Sequence, residues 1–219
     1  MYRVLLRLRK GEEIKYLSHR DFIRAFEFAS RRARVPVAFS EGFNPRIKMS
    51  FGNALGVGVT SDDELIQLDL AIPMELSDLK DRLGSKLPKG MELVSLELVP
   101  EGVKSPLSKL NASEYEIVLS KEAGCSDAEI KDMVDQLLAA PKLLVTREKD
   151  GKSKQVDIRP YLLEASIEHE TEKVVSMHVS LSAGDSGGAG PRDFLKAVRG
   201  LLPDLAVLKT HRLRQFFSE

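Results

Sequence analysis

An α+β fold is what this sequence predicts, and three observations predict it. Stretches such as YRVLLRLR at residues 2–9 and MELVSLELV at 91–99 alternate polar and apolar residues, the period of a half-buried strand. Residues 18–34, 76–83, 126–139 and 191–199 place their apolar residues at helical spacing instead. The two kinds follow each other as β, α, β, β, α, β through the first hundred residues, and a comparable set follows a turn-rich stretch. That connectivity is the ferredoxin-like, split β-α-β unit. The expectation is two such units in tandem, with antiparallel sheets and helices on one face. The first spans 1–100, a linker 101–112, and the second, with an extra hairpin, 113–219.

Each element has a local reason. In the strand at 2–9, Arg3, Arg7 and Arg9 face outward. In the helix at 18–34, Phe22, Phe26, Ala29 and Ala33 form the core side, and Arg20, Arg24, Glu27, Arg31 and Arg34 fall on the opposite arc. Ser18 caps it, Asp21 puts negative charge in its first turn, and Val35-Pro36 ends it. Residues 41–45, Glu-Gly-Phe-Asn-Pro, are a turn cluster before an extended 48–51. A strand at 64–72 stops at Pro73, and a short helix with Leu76, Leu79 and Leu83 stops at Gly84. In the second set, a strand at 114–120 precedes a helix opened by Ser126. Asp150-Gly151 joins 143–147 to 153–156 as a hairpin. Strands at 161–169 and 174–181 pair, a Gly-rich loop at 184–190 leads to Pro191 at a helix start, and 205–208 is a last short strand before a basic tail, His211-Arg212-Leu213-Arg214.

Composition narrows function. The chain has 219 residues, 42% hydrophobic, with a single cysteine, Cys125. That excludes a disulfide framework, a Cys-rich zinc site and an iron–sulfur cluster held by this chain alone. No apolar run matches a membrane span and the N-terminus lacks a signal-peptide core, so a cytoplasmic protein is expected. Net charge is zero but unevenly spread: residues 1–60 carry +7, 192–219 carry +3, and the stretch between carries −10. A cationic surface of this kind suits a polyanion, or an acidic partner.

Several motifs compete with plainer readings. Gly184-Asp185-Ser186-Gly187-Gly188 has the letters of a serine-protease nucleophile but no His/Asp context, and helical sequence follows it. A narrower function is an anion nest formed by Gly187, Gly188 and Arg192 at a helix N-terminus. Gly151-Lys152-Ser153 is a turn, and Gly52, Gly56 and Gly58 lack dinucleotide-fingerprint spacing. His19 opens a helix whose positive end favours the neutral imidazole; it is a candidate base, a donor to phosphate or nucleobase, or a packing residue. Residues 41–48, EGFNPRIK, offer an aromatic, an amide and two cations on one tight loop. Stacking combined with phosphate neutralisation holds single-stranded or looped RNA in this way. Arg159, in Asp157-Ile158-Arg159-Pro160, is either an anion contact or a partner of Asp157.

At these residues a resemblance emerges. Tyr16-Leu17-Ser18-His19-Arg20-Asp21, Gly42-Phe43-Asn44-Pro45 with Lys48, Ser50 and Phe51, and Asp157-Ile158-Arg159-Pro160 resemble the bacterial radical-SAM-linked domain of unknown function, in its standalone form. Ile47 stands where that family's loop leads one to expect a second proline. The resemblance implies an accessory role beside a radical SAM enzyme acting in trans, with RNA as substrate. In outline the fold is also similar to RNA-processing endoribonucleases of CRISPR systems. The sequence thus points to a non-catalytic RNA-binding protein with no cofactor or metal of its own. Its contacts would be His19, Arg20, Arg24, Asn44, Arg46, Lys48, Ser50 and Arg159. A metal-independent endoribonuclease with His19 as base, or a protein-interaction module, are the alternatives.

Overall fold

The structure, a computed structural model, describes residues 2–121, 125–184 and 187–218. Asp185 and Ser186 of the Gly184–Gly188 motif lie outside the described residues. The chain divides into two compact units, Met1–Leu110 with the C-terminal Phe217–Glu219, and Asn111–Phe216. It is a mixed α+β structure with largely antiparallel strands.

The first unit contains β1 (Tyr2–Lys10), α1 (His19–Arg32), β2 (Met49–Phe51), β3 (Thr60–Leu70), α2 (Leu76–Gly84) and β4 (Met91–Val99). Its strands lie in the order β4-β1-β3-β2, every neighbouring pair antiparallel. This is the permutation that split β-α-β-β-α-β connectivity produces. The alternation read in β1 places Val4, Leu6 and Leu8 in the core, fully buried. Phe22, Phe26 and Ala33 of α1 and Leu79 and Leu83 of α2 join the same cluster, with Ile66, Leu68 and Leu70 of β3. Burying each of these larger side chains contributes about 1.5–3 kcal/mol, which is what holds α1 against the sheet.

The second unit contains β5 (Leu110–Ser120), α3 (Asp127–Ala139), β6 (Leu144–Lys149), β7 (Lys152–Asp157), β8 (Leu162–Glu170), β9 (Val174–Gly184), β10 (Gly187–Gly188), α4 (Pro191–Leu201) and β11 (Ala206–Phe217). The order is β11-β5-β9-β8, the same permutation, with β10 also on β9 and β6-β7 standing apart as a hairpin. Ser126 and Glu129 form a reciprocal capping box at α3. Asp150 and Gly151 both have positive φ, 51° and 74°, the left-handed pair that a two-residue hairpin turn requires.

Three expectations change. The linker at 101–112 is shorter than expected, because β5 already begins at Leu110 and Pro106–Lys109 is a helical turn. The short strand and basic tail are one twelve-residue strand, β11, in which Arg212 is fully buried. The Gly-rich loop contains a paired strand: a Cβ on Gly188 would come within 2.6 Å of the Ala183 backbone, so the glycine is there for close strand approach.

Candidate nucleic-acid interface

Helix α1 starts where the sequence says it should. Ser18 Oγ accepts the Asp21 N–H at 3.2 Å and donates to the Asp21 carboxylate at 2.6 Å. At about 100° per residue, Arg20, Arg24, Glu27 and Arg31 lie within roughly 60° of one another, and the buried Phe22, Phe26 and Ala29 take the opposite side. The helix ends in a Schellman arrangement, with Val35 N–H on the Ser30 carbonyl at 3.1 Å and Arg34 N–H on that of Arg31 at 3.0 Å. The left-handed position of that motif is held by Arg34, with φ of 52°, where glycine is the usual occupant.

The chain then forms a tongue, residues 37–51. Phe39 and Ile47 bridge antiparallel, Lys48 N–H donates to the Ala38 carbonyl at 2.8 Å, and Ser40 N–H donates to the Arg46 carbonyl at 2.8 Å. The Arg46 N–H returns a bond to Ser40 Oγ at 3.0 Å, closing the neck. Ile47 is buried in the core cluster. Ile47 therefore pins the base of the tongue. Two contacts bind the tongue to α1: the His19 ring meets Phe51 edge-on, centroids 5.8 Å apart, and the Arg31 guanidinium lies 5.5 Å over the Phe39 ring. One contact lies at each end of the helix, so α1 and the tongue form a single surface. It carries Arg20, Arg24 and Arg31 from the helix, Arg34 just past its end, and Asn44 and Arg46 from the tongue; Lys48 and Ser50 alternate with the core-packed Ile47, Met49 and Phe51, so they lie on the face of the sheet turned away from α1.

The electrostatics of this surface differ from those of β1. Among the described residues, the side chains of Arg20, Arg24, Arg34, Arg46 and Lys48 make no hydrogen bond or ion pair. The Glu27 pairs that would lace a merely solvated helix face are not formed among them either. Several other arginines are engaged by the fold. Arg7 pairs with the buried Asp63, Arg9 bridges Asp62 at 2.8 Å and Glu92 at 3.2 Å, and Arg3 donates to the Pro100 and Val103 carbonyls. In the second unit Arg214 holds Glu114 at 2.5 Å, and Lys209 holds Glu116 at 2.6 Å. Burial works to raise the Glu114 pKa, but Arg214 and His178 hold it below the usual carboxylate range; Lys209 does the same for Glu116.

Several expected contacts have other work. Arg159 donates to the Leu162 carbonyl at 3.0 Å and to the Leu138 carbonyl at 2.8 Å, capping the last turn of α3. Its neighbour Asp157 is held below the ordinary carboxylate range by the N–H groups of Leu143 and Arg159. The anion nest is already filled from within. The Asp193 carboxylate accepts the Gly190 N–H at 3.2 Å and pairs with Arg147 at 2.9 Å, while Arg147 also donates to the Gly188 carbonyl at 2.6 Å. Gly187 and Gly188 are strand residues, and Arg192 is exposed. His19 is half-buried, its ring edge-on to Phe51. Tyr16, Phe28 and Phe39 also belong to this surface, and the sequence alone did not mark them as contacts. The available signal was large aromatics placed off the core arc. Among the described residues no cluster of three or more His, Cys, Asp or Glu could hold a metal, and no helix is long and apolar enough to cross a membrane.

With fold and surface in place, comparison with known proteins gives the class. The family model described as "Uncharacterized protein conserved in bacteria (DUF2344)" matches residues 3–189. The chain belongs to that bacterial family. No curated protein matches it. Among the solved chains that match it, two illustrate the shared fold. One is from the structure of an H/ACA RNP bound to a substrate RNA containing 2'-deoxyuridine, with TM-score 0.50, 9% identity, and coverage of 99% of this chain and 49% of that one. The other is from a Cbf5-Nop10-Gar1 complex, with TM-score 0.53, 10% identity, and 99% and 50% covered. At such identities the likeness is one of fold alone, and the chain spans about half the length of each of these two solved chains.

Proposed function

We propose that this chain is a non-catalytic RNA-binding protein that grips phosphates with the α1–tongue surface and acts beside a radical SAM enzyme in RNA modification or processing. One observation carries the RNA reading: a row of guanidiniums along one helix face without acidic partners among the described residues, where Arg7, Arg9, Arg147 and Arg214 are each paired with a carboxylate. Keeping Arg20 and Arg24 four residues apart, with no carboxylate engaged, costs helix stability, and a polyanion removes that repulsion. Asn44 on the exposed tongue supplies an amide to a base or sugar. One of the solved chains that share the fold comes from a particle bound to RNA, which accords with the reading.

The radical SAM partner rests on the resemblance of the Tyr16–Asp21, Gly42–Phe51 and Asp157–Pro160 motifs. With Cys125 its one cysteine, such a partner would hold the iron–sulfur cluster itself. We read the shared strand permutation of the two units as two ferredoxin-like units in tandem, and the cytoplasm as the compartment.

The test is RNA affinity by fluorescence anisotropy. Replacing both arginines, Arg20→Ala with Arg24→Ala, is expected to weaken binding roughly 10- to 100-fold near 100 mM salt. Equal affinities for the wild type and the double variant would contradict the proposal.

A further inference from the structure

We infer that the nucleic acid taken by this surface is single-stranded RNA, whose unpaired bases stack on aromatic rings that frame the arginines, with Phe43 as the foremost platform. The inference rests on the RNA reading above and adds the class of RNA.

Four exposed aromatic side chains lie within residues 16–43: Phe43 at 106% relative exposure, Tyr16 at 72%, Phe28 at 64% and Phe39 at 44%. Core packing accounts for none of them, since Phe22 and Phe26 on the same helix fill that role. Phe28 sits four residues after Arg24 and three before Arg31, on the flank of the guanidinium row. Tyr16 lies four residues before Arg20 and carries the Lys15 ammonium 5.3 Å from its ring centroid. Phe39 has the Arg31 guanidinium on its ring. Two of the four rings thus carry a cation, Arg31 on Phe39 and Lys15, itself paired with Glu12, on Tyr16.

Phe43 is held out at the apex of the tongue. The neck below it is closed by the two Ser40–Arg46 bonds, Ile47 anchors its base in the core, and Gly42, at φ 115°, makes the turn that an L side chain would strain. A closed neck keeps the ring from folding back onto apolar surface. A ring presented this way, next to Asn44 and Arg46, matches how single strands are held: bases stack on aromatics while cations track the backbone. A duplex offers no such partner, because its bases are already stacked and proteins read it through phosphates, 2'-hydroxyls and shape.

The chain contains no tryptophan, so Phe43→Trp gives a single reporter at the apex. The probes are oligouridine of about a dozen nucleotides and the same strand annealed to oligoadenosine. Oligouridine is expected to quench the indole emission of the Phe43→Trp variant and the duplex to leave it unchanged. Phe43→Ala is expected to weaken oligouridine binding roughly 5- to 100-fold with the salt slope unchanged. Equal affinity for strand and duplex, or an unquenched indole together with an unaffected Phe43→Ala, would overturn the inference. If the arginine double variant still lost binding in that case, the phosphate reading would stand without it. Failure of both probes to bind at low salt would overturn both.

Discussion

The arginines of β1 and those of α1 stand in one unit, carry the same charge, and have opposite fates. Arg3 ends on the Pro100 and Val103 carbonyls just past β4, and Arg7 and Arg9 end on Asp62, Asp63 and Glu92, brought to them by the antiparallel partners β3 and β4. Arg20, Arg24 and Arg34 end on nothing among the described residues, and Arg31 ends on an aromatic ring. The difference separates cations that the fold uses from cations that the fold merely presents. It is the ground on which we propose the interface on one helix and its adjoining tongue.

Removing an arginine that the fold uses has the largest expected effect. Arg147→Ala deletes the bonds to Asp193 and Gly188 and leaves a largely buried carboxylate at the start of α4. A stability loss of about 2 kcal/mol is expected, read as a melting temperature lower by roughly 4–8 °C, with RNA affinity unchanged. An unaffected melting temperature would show that this arginine, too, is only presented.

A smaller change runs the other way. Arg34 sits in a left-handed conformation that costs an L residue about 1–2 kcal/mol, offset in part by the entropy a glycine loses on folding. Arg34→Gly is therefore expected to stabilise the protein by about 0.5–1 kcal/mol in urea denaturation while weakening RNA binding. A variant that is both less stable and equally tight would remove Arg34 from the interface.

The smallest effect concerns acid. Glu114 and Glu116 have folded pKa values below their usual 4.5, so their pairs stabilise fully above about that pH and lose the contribution as pH falls through the lowered values. Both pairs are substantially hydrated, which keeps the effect modest. Urea midpoints should decline from about pH 4.5 downward, and less so in Glu116→Gln. A midpoint that rises in acid would reverse that sign.

Much of this was legible in the chain. Ser18 with Asp21, the Phe22–Phe26–Ala29–Ala33 arc and the Asp150-Gly151 turn are local signals, settled by residues within a few positions of each other, and each stands where the sequence placed it. What escaped depends on partners distant in sequence. Residues 211–214 read as a basic tail after a short strand, yet they continue β11, in which Thr210, Arg212 and Gln215 are buried. Arg159 and Arg20 look alike as letters. Only folding brings the carbonyls of Leu138 and Leu162 to one of them and, among the described residues, nothing to the other. Phe43 was visible as a loop aromatic, but its full exposure on a closed neck follows from pairing at Phe39–Ile47, which no window of sequence displays.

The slope of RNA affinity against salt tests the distinction most directly. Each phosphate neutralised on a single strand contributes about 0.7 to the slope of log affinity against log salt. Removing Arg20 and Arg24 together should flatten the slope by about 1.4, whereas removing Arg3 and Arg9 together should leave it unchanged. Equal flattening by both pairs, or by neither, would contradict the division between arginines the fold consumes and arginines it offers.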